Sequence, residues 1–192
     1  MVKIYRVKID PTNSQWALPT DRQFTARGEM FFDGTPKAVT WNPPEFYIQN
    51  PLKPRSNFFI LSPGALAFDN DVRTDPFIGM FLEMAGEILP IRLETGESLF
   101  VLNVTECVNA LDKEQTKWRL DPSTKVPAAI VTYAFHPQRL TQSPIFKIPE
   151  TRRAEVLTFS GRFSAPEDEF VSVYRQSRFT GLEFEEMWSA AS

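Results

Sequence analysis

The chain holds one cysteine, one histidine and eight glycines among 192 residues, and each shortage removes a class of chemistry. With Cys107 alone, no intrachain disulfide can form. A zinc site draws on several Cys and His ligands, and Cys107 and His136 supply one of each. The glycines are scattered, and no Walker or dinucleotide-type phosphate loop is present. No stretch approaches the roughly 20 apolar residues that span a bilayer. The opening MVKIYRVKID lacks an apolar run of signal-peptide length. A cytoplasmic protein with no membrane partner and no cofactor is therefore expected.

An excess of positive charge is missing too. Lysine and arginine number 21 against 24 acids, for a net charge of −3. Nucleic-acid binders neutralise phosphates with a basic face, and the basic clusters here are short: Lys53 with Arg55, Arg152 with Arg153, Arg175 with Arg178. Nucleic acid is not an expected partner.

Aromatic residues and proline are plentiful. Seventeen Phe and four Trp suit a packed core or an interface. Sixteen Pro imply many short elements between stiff turns. Lys3 to Ile9 alternates charged and apolar residues and reads as a strand. Asp10 to Arg22 reads as loop. Gly28 to Thr40, with Asp33-Gly34-Thr35-Pro36, reads as a hairpin, and Glu45 to Ile48 as a short strand. After the short apolar run Asn57 to Leu61, Ser62-Pro63 is a helix-start signal for a helix through Asp69. Thr74-Asp75-Pro76 is another, followed by Phe77, Ile78, Phe81 and Leu82 at helical spacing and closed by Gly86.

Ile88 to Leu93 and Leu99 to Val104 read as strands joined by the Glu94–Glu97 loop. Ala128 to Phe135 (AAIVTYAF) is the strongest strand pattern, with shorter ones at Ile145 to Ile148 and Val156 to Phe159. Pro166 opens a helix through Arg175, its first turn acidic, and Leu182 to Trp188 is extended. Strand, helix, helix and then several strands imply α+β, a mostly antiparallel sheet with two or three short helices. One compact domain is expected over 1–192, with 1–56 an irregular part that wraps the remainder and 57–192 the core.

Few residues suggest catalysis. His136 could serve as base to a Cys107 nucleophile, but nothing in the sequence places them together. A buried cysteine and a strand-end histidine is the reading adopted. Asp69-Asn70-Asp71 begins like a calcium loop, yet Arg73 and Thr74 stand where the fifth ligand and the turn glycine belong, and Met80 replaces the closing glutamate. Asp69 and Asp71 are expected in a solvated turn between two helices. Glu167-Asp168-Glu169 and Glu183, Glu185, Glu186 offer carboxylates, but glycosidase chemistry needs two facing one another across a cleft, and adjacent acids are usually solvated. Near the C-terminus, Leu182, Phe184 and Trp188 read as inward at period two, which points Glu183 and Glu185 outward.

From Leu61 onward, LSPGALAF, GEILPIRL, LFVLNVTECVNALD, PIFKIPE and FVSVYRQSRFTGLEFEEMW follow one another. In order and spacing they resemble the bacterial immunity family numbered eleven, once a domain of unknown function and typified by a myxobacterial protein. The resemblance covers about the C-terminal two-thirds. It implies a compact α+β fold, no catalytic residues, and neutralisation of a cognate polymorphic toxin by binding and occlusion. An acidic surface would suit a basic toxin such as a nuclease. The candidate partner contacts are Glu183, Glu185, Glu186, Arg175, Arg178, Asp69 and Asp71. An adaptor domain for another cellular protein, or a hydrolase using His136 or the C-terminal acids, are the alternatives.

Overall fold

The computed structural model describes residues 1–190. In chain order the strands are β1 (Lys3–Ile9), β2 (Ala17–Pro19), β3 (Phe46–Ile48), β4 (Phe58–Phe59), β5 (Ala65–Phe68) and β6 (Gly86–Arg92). They continue with β7 (Ser98–Val104), β8 (Lys117–Leu120), β9 (Pro127–Thr132), β10 (Ile145–Phe146), β11 (Leu157–Ser160) and β12 (Leu182–Ser189). The helices are α1 (Arg22–Ala26), α2 (Asn70–Thr74), α3 (Ile78–Ala85) and α4 (Phe170–Gln176). The fold is α+β and mostly antiparallel sheet. Among the described residues no helix is long and apolar enough to cross a membrane.

Two four-stranded sheets organise the chain, ordered β10-β11-β1-β12 and β4-β5-β7-β6. Between them lies an apolar layer in which Val7 and Val156 of the first sheet's side meet Phe58, Leu66 and Leu102 of the second. Helices α3 and α4 close this layer through Phe81, Leu82, Phe170 and Tyr174. The pleat sends alternate side chains to opposite faces, so each sheet has an outer face to cover as well. On the second sheet, Phe59, Ala67, Val101 and Leu89 meet Phe24, Phe32 and Phe46 of the N-terminal third. On the first, Ile4, Leu157 and Phe159 meet Val108, Leu111 and Phe135 of the middle segment. Part of the N-terminal third thus covers the outer face of the second sheet, while β1 lies inside a sheet.

Several sequence expectations are corrected. Ser62-Pro63 does not start a helix: Ala65 to Phe68 is β5, with all four residues buried between β4 and β7. A strand buried on both faces loses the alternation that would reveal it. Gly64 makes the sharp entry with φ +78, and a Cβ there would stand 2.5 Å from Phe32 O. Gly28 to Thr40 forms turns and no strand pair. Its backbone is satisfied by side chains instead: Glu87 accepts from Lys37 N (2.7 Å) and Ala38 N (3.2 Å), and Asn103 Nδ2 donates to Thr35 O (2.9 Å). Helix α1 and strand β2 stand in or beside a stretch expected to be loop, making four α-helices among the described residues. The strongest strand pattern ends as β9, paired only with β8 in a separate two-stranded sheet and exposed at most positions. Pro166 opens a 3-10 turn, and α4 begins at Phe170; the Glu169 carboxylate instead accepts from Arg162 N (2.9 Å) and Phe163 N (3.2 Å).

One cation is wholly buried. Lys147 has no solvent exposure, and its Nζ donates to Phe32 O at 2.6 Å, which ties the N-terminal wrap to the second half of the chain. Burial pulls its ammonium down to about 8, against the opposing pull of Asp33 and Cys107. An unfolded lysine titrates near 10.4. Between these values the unfolded chain keeps a proton that the folded chain has released, so this residue's contribution to stability rises with pH across that window. Below pH 8 the cost of the buried charge is fully present. Urea unfolding of the wild type and Lys147→Met from pH 7 to 10 measures this. The wild type should gain roughly 2 kcal/mol relative to the variant between pH 8 and 10, and a difference independent of pH would contradict the assignment.

Candidate binding surfaces

The C-terminal acids lie on β12, whose register with β1 sets Lys8 opposite Glu183, Arg6 opposite Glu185 and Tyr5 opposite Glu186. Opposite charges facing across a strand pair attract. Glu186 meets Lys3 at 2.7 Å, and Glu185 meets Arg6 at 2.9 Å and Lys8 at 3.6 Å. Glu185 and Glu186 thus fasten the edge strand of the first sheet, while Glu183 makes no ion pair among the described residues. Arg6 also donates to Glu155 (2.7 Å) and to the Tyr133 hydroxyl (3.2 Å), and that hydroxyl donates to Glu155 at 2.7 Å. Burial works against the charge on Arg6, but Glu155, Tyr133 and Glu185 outweigh it and raise its pKa. Burial, with the hydrogen bond to Glu155, pushes the Tyr133 phenol up to about 12.

The remaining candidates are dispersed. Arg175 packs its guanidinium 5.6 Å from the Tyr5 ring centroid and 5.7 Å from that of Phe184, so it covers the sheet. Arg178 is exposed beyond the end of α4. Asp69 is not in a solvated turn: it is buried and caps α2, accepting from Val72 N (3.1 Å) while Asn57 Nδ2 donates to it (2.9 Å). Asp71 is exposed in the first turn of α2. Trp188 and Phe184 are half-buried, each edge-on to a core aromatic, Phe135 for the first and Tyr174 for the second.

His136 and Cys107 serve different surroundings. His136 Nδ1 lies 3.8 Å from Asp112 Oδ2, while the charged groups acting on Cys107 are Arg153, Glu150 and Lys147. Burial pushes the Cys107 thiol up, the reverse of what activates a cysteine nucleophile. Among the described residues no group of three or more His, Cys, Asp or Glu could hold a metal ion.

Two features escaped the sequence reading. Phe77, Met80 and Met84 form a ridge along the outer side of α3, with 58%, 45% and 46% exposure. Their spacing of three and four marks one helix face, flanking the buried face of Ile78, Phe81, Leu82 and Ala85; the signal was present, but the inward face absorbed it. Beside the ridge runs a groove of about 430 Å³ bounded by Phe77, Asp75, Glu167 and Val173. Arg73, the cation on that side, is paired with Glu83 at 2.7 Å. The second feature is a cleft of about 590 Å³ where β1, the Ile60–Leu66 segment and Ala154–Val156 converge. Three segments distant in sequence build it, so no local pattern could announce it.

No protein-family model matches the chain, and no curated protein matches it in sequence.

The charge network makes a ranking. Glu155 holds two donors and is largely shielded, whereas the Glu185 side chain is 44% exposed. Glu155→Gln should cost about 1–2 kcal/mol and Glu185→Gln under about 0.5 kcal/mol by urea unfolding. Equal losses would mean that exposure does not set the strength of these pairs.

Proposed function

We propose that this chain is an immunity-type protein that binds a cognate bacterial toxin and occludes its active site. Two things support the reading. One is the order of segments from LSPGALAF to the terminal FEEMW, which resembles the immunity family. The other, which carries the most weight, is the α3 ridge: three large apolar side chains, each about half exposed, beside the acids Asp75 and Glu167. Apolar anchors within a charged rim are what specific interfaces use. Methionine is flexible and polarizable, and adapts to an irregular partner surface.

The acids set the partner's chemistry. A basic toxin face with an apolar depression would be steered by the rim and anchored by the ridge. Glu185 and Glu186 play little part in this reading, since lysines and arginine of β1 already engage them.

The reading requires a toxin domain encoded beside this gene, and the test is co-expression with it. The wild type should restore growth and form a stable complex. Met80→Lys/Met84→Lys should weaken the complex about a hundredfold or more, because truncated anchors cost about 2 kcal/mol each or above. Both positions are half-exposed, so the thermal unfolding midpoint should stay within a few degrees of the wild type. Failure of the wild type to rescue overturns the proposal, and undiminished rescue by the double variant removes the ridge from it.

A further inference from the structure

The 590 Å³ cleft is bounded along one side by Arg6, Val7, Lys8 and Ile9, four consecutive residues of β1. Successive strand residues point to opposite faces, so a strand that lends consecutive residues to a cleft presents its edge. The other edge of β1 is occupied along its length by β12, down to Ile9 opposite Leu182. On the cleft side, β11 covers β1 only from Lys3 to Arg6. The last bond there is Val7 N to Val156 O at 2.9 Å, after which the neighbouring chain turns away, with Ala154 N bonded to Thr151 O.

Main-chain groups of alternate residues point to alternate edges in an antiparallel pair. Asp10 N donates to Gly181 O on the β12 side (2.9 Å), which directs the N–H and C=O of Ile9 toward the cleft. The two faces of this open stretch differ. Val7 and Leu66 belong to the central apolar layer and Ile9 packs on it. Arg6 and Lys8 point to the other face, beside Glu185. Both terminal nitrogens of Arg6 are engaged, by Glu155, Glu185 and Tyr133. Lys8 has only the longer 3.6 Å contact and is 46% exposed, so it is the available cation. Trp16, 40% exposed, and Pro63 also line the cleft.

We propose that the cleft receives one extended strand of a partner polypeptide, hydrogen-bonded to the open edge of β1 at Val7–Ile9. Its apolar side chains would face Val7, Ile9 and Leu66, and an acidic one would face Lys8. Main-chain bonding supplies affinity in such strand addition, and the alternate side-chain pockets supply selectivity. The edge is short and recessed between the segments that wall the cleft, which admits a single peptide but not a second sheet. The volume falls in the range of small-molecule pockets. The inference stands apart from the immunity reading, since it needs no toxin and involves none of the α3 residues.

The probe is the blocked peptide acetyl-Val-Glu-Val-Glu-Val-amide, titrated into the full chain while amide shifts and hydrogen exchange are followed by NMR. Binding in the millimolar range or tighter is expected, with slowed exchange at the Ile9 amide. A Val-Lys-Val-Lys-Val peptide should bind about tenfold more weakly, as like charges meet at Lys8. A peptide N-methylated along one edge should lose as much or more. Lys8→Glu should reverse the preference between the acidic and the basic peptide, and the wild-type comparisons stand even if that variant fails to fold. Absence of binding at several millimolar, unchanged Ile9 exchange on binding, or equal affinity of the N-methylated peptide would each overturn strand addition. Equal affinity of the basic peptide would overturn the assigned role of Lys8.

Discussion

Strand β1 has neighbours on both edges and apolar layers on both faces, and much of the architecture follows from satisfying all four. Its odd residues Tyr5 and Val7 and its even residue Ile4 are all under 10% exposed, so neither face can be left to water. Helices α3 and α4 and the second sheet cover one face; the middle segment covers the other. The second sheet carries the same demand, met on its outer side by the N-terminal wrap. Three apolar layers in a chain of this size consume many large side chains. Phe24, Phe32, Phe46, Phe58, Phe59, Phe68, Phe146, Phe159 and Phe170 are each at most 1% exposed, and each such burial contributes roughly 1.5–3 kcal/mol. The phenylalanine excess is a consequence of the layering.

Covering sheets with irregular chain raises a second problem, because loop backbone that leaves water needs partners. Side chains from the sheets and their flanking segments supply them. Asn103, fully buried, holds Thr35 O; Glu87 takes two loop N–H groups; Lys147 holds Phe32 O; Glu169 takes two N–H groups ahead of α4. Each is a polar or charged group inside or beside an apolar layer, and its cost is offset by the chain segment it fixes. Lys147 is the extreme case, since no carboxylate lies within ion-pair distance among the described contacts.

This division explains what the sequence discloses. Lys3–Ile9, α3, the β6–β7 hairpin and β12 were legible because each has one periodic face or a capping signal. Asp75, for example, accepts from Phe77 N (3.0 Å) and Ile78 N (2.8 Å) where a helix start was expected. Strand β5 was misread because ALAF is buried on every side and a preceding Ser-Pro imitates a cap. The turn at Asp33 was recognised, and Thr35 N does bond to its side chain at 2.9 Å, but its partner is the second sheet rather than a second strand of its own. Among the candidate contacts, acidic character was legible; that β1 would engage Glu185 and Glu186 was not, because cross-strand register between residues about 180 apart has no local trace.

The same logic separates the surfaces that remain. On β12 Glu185 and Glu186 are matched within the molecule, so presenting them to a partner would mean exchanging one set of ion pairs for another, with little net gain at exposed positions. On α3 the balance is different. Phe77, Met80 and Met84 belong to no core cluster and stay 58%, 45% and 46% exposed, while Ile78, Phe81, Leu82 and Ala85 are the residues packed inward. Exposed apolar side chains at half-helix spacing bring no stability and add a tendency to associate. A helix that must seal the central layer through one side has no structural need for a second apolar side; under the proposed reading, contact with a partner supplies that need.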